Sequence, residues 1–228
     1  QTCALPIYLL SITNGTYFAS NLNIEALDGG TIDLHSVYQI KDGQGGDLQY
    51  RAVSVTADGP SSLVDLTGLT TFQDDYAYDN NGYARFSVLT AKNSGSILTP
   101  NLKTLQGVSL TLGSGSNLSV DSITTITGSQ IYVNGGSVEL TNASRVNGTS
   151  FFVSSGGKLS LPAAQYYVQG ATGNDQYRTF RATGVGSELD LGNLLSITNG
   201  VFYDSNLVIE AVDGGTIDLH SEIGRAHV

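Results

Sequence analysis

A long internal repeat constrains the fold of this chain more than any other feature of its sequence. Residues 9–36 return as residues 194–221, with 22 of 28 positions identical at an offset of 185 residues. A weaker echo at an offset of 127 residues aligns Gln49-Tyr50-Arg51 with Gln176-Tyr177-Arg178. Because duplicated segments adopt equivalent structures, the chain is predicted to be an array of related units.

A short motif recurs inside the long repeat. Two small residues precede an alternating strand, most clearly at 29–34, 135–140, 156–161 and 214–219. The first aliphatic residue of each copy is Ile32, Val64, Ile97, Leu118, Val138, Leu159, Leu189 and Ile217. The successive spacings are 32, 33, 21, 20, 21, 30 and 28 residues. A basic unit of 20 to 21 residues, with insertions of roughly ten in some units, predicts a solenoid.

Two complete units, 121–140 and 141–161, indicate what each turn contains. Each has three short stretches in which apolar and polar residues alternate, separated by breaks rich in glycine. Alternation points every second side chain inward. The predicted inward residues are Ile126, Ile131, Val133, Val138, Leu140, Val146, Phe151, Val153, Leu159 and Leu161.

The predicted fold class is therefore all-β, a parallel β-helix (β-solenoid) with coils of about 20–21 residues and inserted arms. A leucine-rich repeat would need a leucine pattern with a helical return arm, which these units lack. A sandwich of antiparallel hairpins would not explain why strands recur at the same place in each unit. Eight coils at ~4.8 Å each would make a rod roughly 38 Å long.

Composition excludes several classes of function. The 228 residues carry ten basic and twenty acidic residues, a net charge of −10, so nucleic acid and anionic membranes are not expected partners. Hydrophobic residues make up 40% of the chain, which argues against disorder. There is no apolar run of about 18 residues or more that would insert into a membrane. The 28 glycines suit short strands and tight turns.

The two ends differ in character from the repeats. One DNA sequence can encode residues 1–7 on one strand and residues 223–228 on the complementary strand, as a ligated sequencing adapter would. We expect both segments to be non-native and exclude them from the fold. The repeat region then spans residues 8–222, as a fragment of a longer array.

An acidic ladder is the first candidate functional feature. Stacked coils would align the outward residues Asp33, Asp65, Ser119, Glu139, Ser160, Asp190 and Asp218. Paired carboxylates can perform acid/base chemistry on polysaccharides. Serines interrupt this ladder, and we expect no Lys, Arg or His to join it at a fixed spacing, so a solvated acidic face is the favoured interpretation.

Histidines and oxygen-rich loops give weaker indications. His35 and His220 occupy the same repeat position, many coils apart, and are interpreted as inherited corner residues. The loop 74–86 groups Asp74, Asp75, Asp79, Asn80 and Asn81 before Gly82 but fails the EF-hand spacing. The segments 43–47 and 173–175 resemble glycine-aspartate calcium repeats but are not tandem. Calcium is a weak alternative to simple turn chemistry, and we assign no catalytic, cofactor-binding or metal-ligating residue.

Tyrosines are predicted to mark the inserted arms. They are Tyr38 and Tyr50, then Tyr76, Tyr78 and Tyr83, then Tyr166, Tyr167 and Tyr177. Exposed rings could bind carbohydrate or a protein partner. The alternative is that these rings pack the arms against the wall of the solenoid.

The coil pattern LTxΦxGxxΦxVxxGGxΦxL, from Ile126 to Leu161 and again at Gly29–Leu34, resembles the repeats of bacterial surface and secreted β-helix proteins of the filamentous-haemagglutinin and adhesin type. The resemblance implies export to the cell surface or medium and adhesion to glycans, surface proteins or neighbouring cells. It leads us to expect a rigid, non-enzymatic stalk. The alternative is a β-helix polysaccharide lyase or hydrolase that uses the acidic ladder.

Overall fold

A computed structural model describes residues 8–77, 85–170 and 174–220. Within these ranges the chain has no helix and forms 23 short strands. In chain order they are β1 (Ser11–Thr13), β2 (Asn21–Leu27), β3 (Thr31–Asp33), β4 (Gln39–Asp42), β5 (Ala52–Asp58), β6 (Leu63–Asp65), β7 (Thr71–Asp74), β8 (Ser87–Lys92), β9 (Ser96–Leu98), β10 (Thr104–Gln106), β11 (Val108–Gly113), β12 (Asn117–Leu118), β13 (Thr125–Thr127), β14 (Gln130–Asn134), β15 (Ser137–Glu139), β16 (Ser150–Ser154), β17 (Lys158–Ser160), β18 (Tyr166–Val168), β19 (Tyr177–Thr183), β20 (Glu188–Asp190), β21 (Ser196–Thr198), β22 (Asn206–Val212) and β23 (Thr216–Asp218). The all-β prediction is confirmed.

The strands form sheets in which neighbours come from successive parts of the chain. The first sheet has the order β1-β4-β7-β10-β13, and the second β2-β5-β8-β11-β14-β16-β19-β22. The third is β12-β9-β6-β3, the fourth β15-β17-β20-β23, and β18 pairs with β21. All of these strand pairs in the described ranges are parallel. Antiparallel hairpins are therefore not the basis of this fold.

The chain visits the sheets in a constant order, which divides it into eight units. Each unit supplies a strand to the first sheet or the β18–β21 pair, then to the second sheet, then to the third or fourth. In the sixth unit a single bridge, Thr125↔Arg145, replaces the first of these strands. Parallel pairing between equivalent strands follows from the repeat, because each unit runs in the same direction as the one before.

Strand register agrees with the sequence periodicity, with one break. Ile32, Val64, Ile97 and Leu118 lie side by side, as do Val138, Leu159, Leu189 and Ile217. Leu118 and Val138 do not pair. The turn before β15 has two residues, 135 and 136, whereas the turns before β12 and β17 have three, so β15 is out of step with β12. A cavity of about 280 Å³ opens there.

The hydrophobic core runs through all the units. Nine of the ten predicted inward residues are buried, including Phe151 and Val146, and only Val138, beside the break, is half-buried. Phe151, Phe180 and Tyr167 form its largest aromatic cluster, with ring centroids 4.8 to 5.4 Å apart. Strand alternation thus sends one set of side chains into a single core and leaves Ser, Thr and Asn outside.

Candidate recognition surface

Among the described strands, the longest connections lie at one type of junction, between a strand of the first sheet (or the β18–β21 pair) and a strand of the second. Arms are the connections of six or more residues at this junction, and they occur in the first three units and the last two. They span residues 14–20, 43–51, 75–86, 169–176 and 199–205, of which 78–84 and 171–173 lie outside the described residues. The three middle units cross the same junction with only one to a few residues. All five arms lie at the same junction between consecutive strands.

One column of residues decides between an arm and a direct crossing. We call these the junction residues. Each is the fourth residue counted from the start of the first strand of its unit, or from the bridge residue Arg145 in the sixth unit. They are Asn14, Asp42, Asp74, Gly107, Gly128, Gly148, Gln169 and Asn199. Units with an arm have Asn, Asp or Gln at this position, and units without one have glycine. The three glycines have φ between 55° and 64°, a left-handed conformation that lets the backbone turn at once.

The polar junction residues fasten both ends of their arms. Asn14 Nδ2 donates to the carbonyl of Ser20 at 2.9 Å, and Asn199 Nδ2 donates to Ser205 at 3.1 Å. Gln169 Nε2 donates to the carbonyl of Gln176 at 2.7 Å. Asp74 accepts hydrogen bonds from the amide and hydroxyl of Ser87, at 3.0 and 2.7 Å. Each side chain thus closes a loop whose ends would otherwise leave buried backbone groups unpaired.

Asp74 is the most perturbed of these groups. It is 1% exposed and lies beside Asp42 in the first sheet. Burial raises the pKa of Asp74 from its ordinary 3.8 to about 7, partly opposed by the hydrogen bonds from Ser87 and Tyr76 and reinforced by the Asp42 charge. Desolvation disfavours the ionised form of a buried carboxyl. Asp42 is itself paired with the buried guanidinium of Arg51.

Two buried arginines lie at the ends of arms, Arg51 just before β5 and Arg178 as the second residue of β19. The guanidinium of Arg51 donates to Asp42, to Gly43 and, at 2.6 Å, to the carbonyl of Gly45, so the arm 43–51 curls around it. Arg178 donates to the carbonyls of Gly148 and Tyr177. In both places the shared Gln-Tyr-Arg ends on a buried arginine after an arm, although the strand registers set the two arginines two residues apart.

Neighbouring arms are stacked by direct contacts. The amide of Asp47 donates to Thr16 at 2.9 Å, and that of Ala19 donates to Gln49 at 2.9 Å. The amide of Asp175 donates to Tyr203 at 2.8 Å, and Tyr177 Oη donates to Asp204. These contacts join the arms 14–20 and 43–51 into one group and the arms 169–176 and 199–205 into another.

Both groups of arms contain exposed aromatic rings. Tyr17 and Phe18 are 80% and 57% exposed, and Phe202 and Tyr203 are 44% and 78% exposed. They occupy matching places in the two copies of the long repeat. The sequence-based predictions did not include these four rings; the signal was the Asn-Gly that comes shortly before each pair.

The tyrosine prediction is partly wrong. Tyr166 and Tyr167 lie in β18, and Tyr167 is fully buried, with its hydroxyl donating to Thr149 at 3.1 Å. Tyr38 immediately precedes β4 and Tyr177 begins β19, and both are exposed. Tyr50 packs in its arm against Phe18 and near Arg85, and Tyr76 is half-buried. Tyr78 and Tyr83 lie outside the described residues.

The acidic ladder is divided into two parts. Asp33 pairs with Asp65, but the next position holds Leu98. In the fourth sheet the column is Glu139, Ser160, Asp190 and Asp218. Four of these carboxylates, on Asp33, Asp65, Asp190 and Asp218, accept the amide two residues later, which makes them turn caps.

The expectation that no histidine joins the ladder at a fixed spacing is wrong. His35 Nδ1 lies 2.6 Å from Asp33 Oδ1, and His220 Nδ1 lies 3.9 Å from Asp218 Oδ1. The turn folds residue i+2 back over residue i, so the spacing of two was the signal. The hydrogen bond from His35 lowers the pKa of Asp33. The two histidines flank strands of different sheets.

The described residues contain no assembled site for calcium. No group of three or more His, Cys, Asp or Glu side chains there could hold a metal ion. Asp74 points to Ser87, Asp75 contacts Lys41 at 3.3 Å, and Asp47 caps the amide of Gln49. Asp79, Asn80, Asn81, Gly82 and Gly173 lie outside the described residues, as do both end segments 1–7 and 223–228.

Comparison with protein-family models, curated proteins and solved structures finds no match to this chain. The described ranges also hold no helix that is long and apolar enough to cross a membrane.

Proposed function

We propose that the chain is a β-solenoid stalk that acts as a structural and adhesive module of an exported bacterial surface protein, with its arms as the recognition surface. The observation that carries the proposal is the placement of the arms. Five arms extend from a single junction, and their exposed rings recur in both copies of the long repeat. Rigid scaffolds that present loops on one side are a common basis for binding. The resemblance to adhesin repeats supports an extracellular or surface location.

The solenoid is supported by the constant order in which the chain visits its sheets. If the eight units stack linearly, outward residues of one column should separate by ~4.8 Å per unit. Spin labels at Thr13 and Thr127 would then lie roughly 19 Å apart and labels at Thr13 and Thr198 roughly 34 Å apart. Pulsed electron paramagnetic resonance on Cys3→Ser variants measures both distances. A shorter distance to Thr198 than to Thr127 would mean that the sheets close on themselves and would overturn the stalk.

Adhesion is tested on a printed array of neutral and acidic oligosaccharides and on immobilised host surface proteins. Replacing Tyr17, Phe18, Phe202 and Tyr203 by Ser should abolish binding, because the exposed rings supply its apolar contacts. The matched control replaces Tyr132 and Phe152, which stack at 4.7 Å on the outer face of the second sheet, away from the arms. Equal binding by the arm variant and the unmodified chain would reject the arms as the recognition surface.

A polysaccharide lyase or hydrolase is the alternative, favoured by one observation. A cavity of about 260 Å³ in the acidic column is lined by Asp190, Asp218 and His220. A panel of acidic and neutral glycans would be assayed with the unmodified chain and with Asp33→Asn, Asp65→Asn, Asp190→Asn and Asp218→Asn combined. Activity lost only in the variant would establish the enzyme, and equal activity or none in both would remove it.

A further inference from the structure

The two outermost units each present a row of strands that has no described neighbour on one side. In the first unit, β1, β2 and β3 are end strands of the first, second and third sheets. In the last unit, β21, β22 and β23 are end strands of the β18–β21 pair, the second sheet and the fourth sheet. We call the first row the leading edge and the second row the trailing edge. Strand edges of this kind are where further strands add to a sheet.

Both edges expose apolar side chains. A groove of about 720 Å³ opens on the leading edge and is lined by residues of all three of its strands. Its inward aliphatic residues are Ile12, Leu22, Ile24 and Ile32, and the trailing edge carries Ile197, Leu207, Ile209 and Ile217 at the matching positions. Ile209 is 41% exposed, although its counterpart Ile24 is buried. Covering both edges would remove these side chains from water, which is the main favourable contribution to association.

The long repeat shows what each edge accepts. Because residues 9–36 and 194–221 are 22 of 28 identical, the contacts made by one copy inside the molecule are those that the other copy can make at its edge. None of the differences falls on an inward residue. Four lie in the arm 14–20, and the other two are Asn23 and Leu27, exposed outward residues of β2.

The backbone groups of the two edges are complementary. The amides of Asn14, Asp28 and Leu34 donate to the second unit at 2.9, 3.3 and 2.8 Å, and their counterparts on the trailing edge are Asn199, Asp213 and Leu219. The carbonyls of Thr198, Val212 and Asp218 accept from the seventh unit at 2.9, 2.9 and 2.8 Å, and their counterparts on the leading edge are Thr13, Leu27 and Asp33. A trailing edge set against a leading edge would therefore bring three donors to three acceptors.

Charge opposes this contact at one place. Inside the molecule, Arg181 Nε donates to Glu210 Oε1 at 2.6 Å across the β19–β22 pair. The counterpart of Glu210 on the leading edge is the exposed Glu25. Joining the edges would set Glu25 beside Glu210 without a cation, and like charges directly opposite on neighbouring strands are destabilising. Asp33 would likewise meet Asp218, but adjacent aspartates already occur within the third and fourth sheets.

We propose that the leading edge is a docking surface for the trailing edge of a second copy of this chain, and that Glu25 and Glu210 restrain this head-to-tail assembly. The second copy fits because its apolar residues, its backbone donors and its strand register all match those of the leading edge. A head-to-tail contact leaves one edge free at each end, so further copies could add to a growing array. The assembly does not depend on adhesion through the arms, so either proposal can fail without the other.

Sedimentation velocity of the full chain over a range of concentrations tests the role of charge. Glu25→Arg supplies at the leading edge the cation that Arg181 supplies inside the molecule, so it should strengthen association by at least about fivefold over the unmodified chain. Combining Glu25→Arg with Glu210→Arg sets two cations together and should weaken association again. The matched control Glu139→Arg makes the same charge change on β15 in a middle unit and should leave association near that of the unmodified chain.

Disulfide trapping tests the register of the contact. In the proposed assembly residue 23 of one copy lies opposite residue 208 of the next, with their Cα atoms ~4.8 Å apart, a separation that a disulfide spans. Asn23→Cys and Val208→Cys are placed on separate chains that also carry Cys3→Ser and Glu25→Arg, and they should cross-link when mixed. The control is Ser54→Cys, which occupies the same column as Asn23 but lies on β5, away from the edge.

Three outcomes would overturn the proposal. One is a Glu25→Arg chain that stays monomeric at every concentration and forms no cross-link. Another is equal association by Glu25→Arg and by the double arginine variant, because the two charges would then not meet. The third is Val208→Cys that cross-links with itself, or with Ser54→Cys, as fast as with Asn23→Cys, which would mean that other surfaces join the copies.

Discussion

A single junction residue decides whether the chain enters the second sheet directly or first extends an arm. Gly107, Gly128 and Gly148 turn at once because glycine adopts positive φ without a steric penalty. Asn14 and Gln169 instead hold the end of an arm with a side-chain amide. Backbone groups must be hydrogen-bonded where the chain leaves a sheet. At this position the chain does so in two ways, by a tight glycine turn or by a side-chain hydrogen bond.

Asp74 should make stability depend on pH. Its folded pKa of about 7 lies above its ordinary 3.8, so the folded chain binds the proton more tightly than the unfolded chain. The free energy of unfolding should therefore fall as pH rises from about 4 to about 7, by up to roughly 4 kcal/mol from this group, and level off above. Urea titrations of the unmodified chain and Asp74→Asn across this range should show a shallower fall in the variant. Identical pH profiles would contradict the assignment.

Gly107 should tolerate no side chain. A Cβ there would stand 2.2 Å from the carbonyl oxygen of Asp74, whereas a Cβ at Gly115 meets nothing within 4 Å. Both residues have positive φ, so both alanine variants carry a similar backbone cost of about 1–2 kcal/mol. Gly107→Ala should lose at least about 2 kcal/mol more than Gly115→Ala in denaturant unfolding. Equal losses would show that the junction can relax.

At the scale of the element, alternation along a strand separates neighbouring residues into different environments. Phe151 and Phe152 are adjacent in β16, yet Phe151 is fully buried between units while Phe152 stacks on Tyr132 at the outer face. Each strand has only two to seven residues, which is too few to be stable alone. Their stability comes from the strands above and below.

This pair of phenylalanines provides a matched test of strand orientation. Phe151→Ala should reduce the free energy of unfolding by about 3–5 kcal/mol, because it leaves a cavity in the closed core. Phe152→Ala should cost less, about 1 kcal/mol, because Phe152 is only half-buried and loses mainly its stacking on Tyr132. Chemical denaturation measures both variants under the same conditions. A larger loss for Phe152→Ala would mean that β16 is rotated by one residue.

At the scale of the whole molecule, burial changes from the middle units to the outer ones. In the first and last units the inward residues Ile12, Leu22, Ile197, Leu207 and Ile217 are only partly buried. In the middle units, residues such as Leu110 and Ile131 are completely buried. Each unit of a repeat array is stabilised by its neighbours, and the outer units have a described neighbour on one side only.

Hydrogen exchange should follow this gradient. Amides in β1, β2, β22 and β23 should exchange fastest, because opening an outer unit breaks one interface. Amides in β11, β14 and β16 should exchange slowest, near the rate set by global unfolding. Mass spectrometry of exchanged peptides resolves the three regions. Uniform protection across all the units would indicate a single cooperative domain in place of a repeat array.

The sequence by itself determined the all-β class, the unit length, the strand-equivalent residues from Ile32 to Ile217 and the inward set that includes Phe151. These features could be predicted because repeat spacing and alternation are local patterns that recur in every unit. The missing pairing between Leu118 and Val138 was not foreseen, because the residue that the turn before β15 lacks changes the spacing of the motif only from 21 to 20 residues.

Only the tertiary structure decided which side chains meet between units. The sequence assigned Tyr167 to an arm and gave no place to Tyr17, Arg51 or Gln169. The structure buries Tyr167 beside Phe180, exposes Tyr17 on an arm and buries the side chain of Gln169 where it donates to Gln176. These contacts join residues of different units, and the register that brings them together is fixed by the stacking of the strands, whereas periodicity reports only the order within each unit.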